Sequence, residues 1–434
     1  MIRCFTILLF GIGLCQPQSD GLSLYGAGGH VKFSSPASIG LGNGNFFSGN
    51  HKNISMDSPS SLWRSALTQF SIHSGATKVN SGVLSEQFQQ NLTRFSLFFP
   101  VGNKKVFGMG IRPLYRSTST EVNEEDFNYL GANESITGSP IAYRSNYKIR
   151  GGLSEIFLTF SFKMNDNLSF GLENNFIFGN YFYTDEIYTY DVHFDTTYTT
   201  NIELGQFQDG EEPVYASGTN VQRTVVDKDY LMRGNSVTLE GRFTTAEHEI
   251  VANTSFTGNF RYAYKKTQVF ENSSSTVEMP MQSFSEPGLT HIGLGYHYKA
   301  GGHWGITTEL HRQNALSSFP GDAALFGVEM PNESSLHLGS YYQFINSKIG
   351  FWNNLNLRTG LYYKTLSFAE GDFKDYGAAI GIGFELLNNT QSIDFALKTG
   401  TMESIIQKGI LENYISLHVG ITTGEKWFMK RRRK

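Results

Sequence analysis

The sequence predicts an all-β fold, a transmembrane antiparallel β-barrel of about fourteen strands, on three observations: a closing strand, a composition and a rhythm of connections. The closing strand is the stretch from Asn413 to Phe428. Ile415, Leu417, Val419 and Ile421 fall at every second position, with Ser416, His418, Gly420 and Thr422 between them. That period of two gives one apolar face and one small or polar face. Trp427 and Phe428 end the strand, and 429–434 form a basic tail. Lipid cannot satisfy an open sheet edge, so the first strand has to pair with this one.

The composition agrees. Aromatic residues make up 14% of the chain and there are 46 glycines, yet the mean hydropathy is slightly negative. A bundle of membrane helices would be strongly apolar, whereas a barrel turns alternate residues toward a polar lumen. The net charge of −4 gives no reason to expect nucleic acid as a partner.

Residues 1–15 read as a signal peptide. Arg3 supplies the charged start and Phe5 to Leu14 the apolar run, which is far shorter than the roughly 20 residues of a spanning helix. Leu14 is large for the position before a lipidated cysteine. Both cysteines, Cys4 and Cys15, lie in this stretch, so the mature chain is expected to hold no disulfide, thiolate metal site or cysteine nucleophile. No cofactor and no metal is expected.

Residues 16–62 differ from all that follows. Glycine and proline break them into turns, and Val31, Phe33, Ile39, Leu41, Phe46 and Phe47 are apolar anchors within a polar segment. Such a segment is compact and buried against something. From 63 to 428 strands follow one another. Phe70 and Ile72 mark the first, Phe95, Leu97 and Phe99 the second, and Phe107, Met109 and Ile111 the third. The series continues through Ile156 to Phe162, Leu168 to Leu172, Val237 to Phe243 and Ile250 to Tyr264. Ile292 to Tyr298, Trp304 to Leu310, Leu336 to Tyr342, Leu355 to Leu361, Ile380 to Phe384 and Ile393 to Leu397 follow before the closing strand. Short connections at 102–104, 165–167, 245–248, 300–302, 347–351 and 388–391 alternate with long ones at 118–145, 184–229, 267–283, 316–332, 367–373 and 404–412. Barrels of the outer membrane put short turns on the periplasmic side and long loops outside, which sets both chain ends in the periplasm.

Alternation places Arg94, Arg112, Glu155, Glu173, Glu240, Arg242, Glu309, Arg358, Glu385, Asp394 and Lys398 on the lumen side. They read as an ion-paired lining that docks the N-terminal segment. A sharper alternative is that Arg112, Arg358 or Lys398 holds a ligand carboxylate by charge-assisted hydrogen bonds. Gly40-Leu41-Gly42-Asn43-Gly44 follows no strand and leads into no clear helix, so it is not a phosphate loop. The acidic residues between Asp185 and Glu212 lack EF-hand spacing and read as a solvated loop.

These features together resemble the FadL-type family of outer-membrane hydrophobic-compound transporters. The resemblance rests on the strand number, on Ser35 to Gly42 as a Ser/Gly-rich plug opening, and on Ser58-Pro59-Ser60 before the first strand, where the family has Asn-Pro-Ala. It rests also on the ending Val419-Gly420-Ile421 … Glu425-Lys426-Trp427-Phe428 with its basic tail. It implies that 16–62 is a plug, or hatch, inside the barrel, with Gly40, Gly42, Phe46, Phe47 and Pro59 among its defining residues. It also implies a lateral gate in the third strand. Pro113 has no N–H to give a ladder, and Gly108 and Gly110 weaken the strand nearby. The function implied is transport of long-chain fatty acids or similar hydrophobic molecules, released sideways into the membrane. An outer-membrane component of a protein export system is the alternative, and a hydrolase is third, although no motif places a nucleophile. The expected partners are a hydrophobic small-molecule ligand, the outer-membrane lipids and the barrel assembly machinery, for a monomeric chain in the outer membrane.

Overall fold

The computed structural model describes residues 29–30, 34–49, 53–81, 87–123, 141–191, 222–258, 260–270, 275–286, 289–301, 303–314, 332–344, 355–368, 371–386, 391–404 and 411–425. The signal-peptide stretch 1–15, Val31, Phe33, the tail 429–434, Trp427, Phe428, the connection 347–351 and most of 316–332, 388–391 and 404–412 lie outside the described residues.

A two-residue strand β1 (Gly29–His30) comes first, then helix α1 (Pro36–Gly40) and a 3₁₀ turn η1 (Pro59–Arg64). The wall begins with β2 (Thr68–Ser81), β3 (Gln87–Pro100), β4 (Lys105–Asn123), β5 (Ile141–Lys163) and β6 (Leu168–Asp191). It continues with β7 (Gln222–Thr244), β8 (His248–Thr257), β9 (Phe260–Phe270), β10 (Ser275–Glu286) and β11 (Thr290–Ala300). It ends with β12 (Trp304–Asn314), β13 (Asn332–Gln343), β14 (Leu355–Phe368), β15 (Gly371–Leu386), β16 (Gln391–Ser404) and β17 (Leu411–Glu425). All pairings are antiparallel, most of them between sequence neighbours, with β7–β9, β8–β11 and β1–β4 besides, and β17 closes on β2 from Glu425↔Thr68 to Glu412↔Ser81. β9 continues β8 outward and β10 leads into β11, so the closed ring has fourteen strands.

The ring is closed because its outside is apolar. Phe95, Ile111, Ile156, Leu172, Leu239, Ile250, Leu294, Leu310, Leu338, Leu361, Ile380, Leu397 and Leu417 all point outward and are exposed. Each sits on a different strand, and together they form a lipid-facing band. Among the described residues no helix is long and apolar enough to cross a membrane. The closed ring with its apolar band makes the chain an outer-membrane β-barrel. The start of β2 and the end of β17 meet at one rim. The tight turns after β3, β5, β7 and β11 share that rim: Val101 N–H donates to Lys105 O, and Thr245 N–H to His248 O.

One half of the wall is much taller than the other. β5, β6 and β7 run for 23, 24 and 23 residues, while β11, β12 and β13 have 11, 11 and 12. About 9–11 residues suffice to cross. The excess forms a sheet standing above the band, extended by the β9–β10 hairpin. Its outer face carries Lys148, Glu186 and Arg223 in ion-pair contact, which lipid would not tolerate. Much of what the sequence reads as long loops at 118–145, 184–229 and 267–283 is thus strand. Where the outer face meets water instead of lipid, charged side chains replace apolar ones and the alternation fades, while Tyr183, Val226 and Tyr230 stay buried on the inner face and the ladder hydrogen bonds remain.

The tall sheet joins the barrel along a line of irregular backbone. β4 shifts register between Pro113 and Tyr115. Opposite, Gly151 and Gly152 have φ of +141° and +155°. A Cβ at Gly179 would lie 2.0 Å from Gly152 O, so the strands bend where only glycine fits. On the next strand, β7 changes partner from β9 at Arg233 to β8 at Ser236.

Candidate functional site

The lumen holds residues 34–49 and 53–64, which lie against the inward face of the wall. Helix α1 starts where Ser35 Oγ accepts from Ser38 N–H and Pro36 occupies the first turn. It ends at Leu41, and Gly42 turns back with φ +88°. Here the plug backbone touches the wall directly. A Cβ at Gly42 would lie 2.5 Å from Leu361 O, and one at Gly40 2.8 Å from Gly381 Cα. The wall answers with glycine: a Cβ at Gly360 would lie 2.1 Å from Gly42 N.

Phe46 and Phe47 are fully buried and seat over Gly295, where a Cβ would meet their rings at 2.5 and 3.0 Å. Phe46 lies against His311 and Phe47 against His297, with ring centroids 5.0 and 5.1 Å apart. Pro59 fits over Gly171 in the same way. Ile54, Met56 and Leu62 pack on Phe98, Val106 and Phe157.

Buried ionic groups then hold the plug in place. Glu309 accepts from the N–H groups of Asn45 at 2.6 Å and Phe46 at 3.1 Å. Glu240 accepts from the hydroxyls of Ser58 and Ser60. Arg242 donates to Phe46 O at 2.9 Å and pairs with Glu249. Glu249 also takes Arg64 at 2.9 Å, Asn53 Nδ2 at 2.9 Å and Lys299 at 3.1 Å. Arg94 pairs with Asp57 and donates to Met56 O. Burial pushes the Arg64 guanidinium below its ordinary pKa, and the Glu249 carboxylate opposes that shift.

The three cations named from sequence do not converge. Arg112 on β4 is held by Glu155 and Glu173, the latter at 2.7 Å, with its guanidinium 4.8 Å from the Phe157 ring centroid. Arg358 on β14 donates to Ser48 O of the plug at 2.7 Å and to Asp394 at 2.8 Å. Lys398 on β16 lies 4.4 Å from the Tyr362 ring and 5.1 Å from that of Tyr414. Sequence reasoning missed Asp57, Arg64, Glu249, His297 and His337, of which His337 contacts Gly42 O at 2.7 Å. Glu249 was readable as the lumen-side neighbour of outward Ile250; His337 sits likewise between outward Leu336 and Leu338.

The wall has an opening beside the plug. β3 and β4 pair only from Pro100↔Val106 to Phe95↔Ile111. Above that level β3 slips register against β2 between His73 and Ser74, and β4 does so against β5 between Pro113 and Tyr115. Each strand stays with its other neighbour, so the two diverge. Pro113 stands at the foot of this divergence. Gly108 and Gly110 lie below it in the paired region, where their missing side chains make room for Phe98 and Phe157. Next to Pro113 the lumen holds a cavity of about 130 Å³, lined by Arg112, Leu114, Tyr115, Glu155, Asn175 and His291 and by Asp57 and Pro59 of the plug.

A family model described as BamG matches residues 1–434. No curated protein sequence matches the chain. Among solved structures, a FadL homologue of Pseudomonas aeruginosa is 12% identical with a TM-score of 0.57, covering 92% of this chain and 100% of that one. The TodX deltaS2S3 mutant, a monoaromatic hydrocarbon channel, is 11% identical with a TM-score of 0.52, over 91% and 99% of the two chains. The Ralstonia pickettii toluene transporter TbuX is 11% identical with a TM-score of 0.49, over 90% and 98%. The first two likenesses carry the FadL-type barrel fold.

Proposed function

The chain belongs to the BamG family, and from that premise, together with its FadL-type fold, we propose that it passes hydrophobic small molecules across the outer membrane, with lateral release between β3 and β4. The observation that carries this reading is the divergence of β3 and β4 above Ile111, next to a lumen cavity and level with the lipid-facing band. An apolar molecule leaving sideways goes from protein to lipid without dissolving in water, so the free energy of its burial is not forfeited. At about 130 Å³ the cavity is too small for a long-chain fatty acid, and Asp57, Arg112, Glu155 and Glu173 in its lining are charged, so an apolar ligand passes only when the plug shifts. With Arg112, Arg358 and Lys398 engaged elsewhere, carboxylate recognition would require one of them to leave its present partners. The test is uptake of labelled toluene and of a labelled long-chain fatty acid by cells with and without the chain. Faster toluene uptake supports the reading, and no difference for either compound in cells holding folded barrel overturns it.

A second reading, an outer-membrane partner in a protein export system, is favoured by the tall one-sided sheet and by the plug held through buried ion pairs. A sheet standing above the bilayer offers a surface on which a partner can dock. Recovery of a stable complex from the outer membrane, lost on shortening β5 to β7 above Gly152 with the barrel still folded, would establish this second role.

A further inference from the structure

The edge of β4 above Pro113 is the main-chain side of the opening. At this height the outward residues of the neighbouring strands still include exposed apolar ones, Phe178 and Leu231, beside Asn180 and Arg233, which marks the upper margin of the lipid-facing band. Main-chain N–H and C=O groups at the margin of lipid need partners from the protein. β3 has already turned away. Among the described residues, what lies on that edge is β1: Gly29 is opposite Arg116 and His30 opposite Tyr115, antiparallel. β1 belongs to the chain's own N-terminal segment, upstream of the plug.

We propose that the β3–β4 opening is a strand-addition site, occupied in the resting molecule by the segment at Gly29–His30 of this same chain. Three features fit the β4 edge for an added strand. The bulge at Pro113–Tyr115 turns the edge away from β3, so a strand can approach it. The Arg116 side chain folds back toward β5, donating to Leu153 O at 2.8 Å and to Ser154 Oγ at 3.0 Å, so it does not cover the edge. Gly29, with no side chain, stands opposite Arg116. Recognition of this kind is by main-chain hydrogen bonds, so the opening is matched to extended polypeptide. A ligand leaving sideways must pass or displace this strap.

The inference rests on the opening invoked above, but its test reads only the position of a strand and is independent of any uptake result. The sequence has no cysteine after Cys15, so introduced pairs report alone. Opposed residues on antiparallel strands have Cα atoms about 4.5–5.5 Å apart, within the range a disulfide spans. The pairs are His30→Cys with Tyr115→Cys, Gly29→Cys with Arg116→Cys, and His30→Cys with Thr93→Cys as the comparison across the opening. The full-length variants are oxidised in intact outer membranes. Barrels that keep heat-modifiable gel migration are digested, and linked peptides are identified by mass spectrometry. The expected result is loss of free thiol in the 30–115 or the 29–116 pair, but not in the 30–93 pair. Tyr115 is buried and its replacement can disturb folding, so the 29–116 pair stands as an independent measurement. Folded barrels that link neither pair on β4, or that link only 30 to 93, overturn the proposal.

Discussion

Replacing Glu249 with leucine removes the anion on which the plug and the wall converge. Arg242 of β7 and Arg64 of η1 both pair with it, Lys299 of β11 lies 3.1 Å away, and Asn53 donates to it. Both guanidiniums are largely or wholly shielded from water. Removing one member of a buried ion pair costs about 3–5 kcal/mol, because the charge left behind has neither partner nor water. Since Arg64 and Asn53 belong to the plug, that loss falls mainly on plug docking rather than on the ladder of the barrel. It corresponds to an increase of roughly two to three and a half decades in the undocked fraction. Single-channel conductance in planar bilayers reads undocking, and heat-modifiable migration reads the barrel. Glu249→Leu should give frequent open events with a barrel that still resists detergent. Adding Arg64→Met removes the plug's own stranded cation, while Arg242 keeps Glu240 at 3.8 Å, and should restore part of the closed state. An unchanged open probability in Glu249→Leu, or a double variant worse than the single one, would refute the view that this carboxylate holds the plug.

Other expectations follow from the same contacts. Gly42→Ala places a Cβ on a residue with φ +88° and 2.5 Å from Leu361 O, so it should raise conductance and lower the docking stability by at least ~1–2 kcal/mol, read by the same recordings. Leu417→Arg puts a charge on the lipid face of the closing strand and should weaken the folded barrel by about 2–4 kcal/mol, whereas Ser416→Asp, opposite Lys398 on the lumen side, should be mild; equal damage in a gel-shift folding assay would show the register to be wrong. Pro113→Val restores an N–H and a strand-favouring side chain at the foot of the opening. It should leave heat resistance equal or higher and slow the uptake of toluene, and unchanged uptake would place the exit elsewhere.

The barrel was legible because lipid and lumen impose opposite demands on alternate residues. Ile415, Leu417 and the matching positions on the other strands carry that signal locally, within a few residues. Above the bilayer the outer face meets water and carries charge, while Tyr183 and Tyr230 stay buried on the inner one, and Thr184 to Tyr188 look like a loop although they pair across the sheet. The docking network was legible only in half. Glu240, Arg242 and Glu309 could be assigned to the lumen by parity, but their partners lie 180 to 264 residues away in the chain. No local pattern says which plug residue meets which carboxylate. Glycines such as Gly360 and Gly381 read as weak points of strands, and only the close approach of the plug backbone explains them.

The contacts of the plug also prescribe a history. Its residues leave the cell interior first, yet Glu240, Glu249, Glu309, His337 and Arg358, which receive them, come from strands spread over the following sequence. Once β17 zips onto β2 the wall is continuous around its lower part, which leaves the two mouths and the β3–β4 opening as ways in. The N-terminal segment is expected to wait as a mandrel while the later strands curl about it, its serines and backbone amides already presented to carboxylates that would otherwise face the lumen unpaired. A barrel made without residues 29–64 and later given that peptide is expected to bind it poorly, because the order of events, and not only the final contacts, sets where the segment ends up.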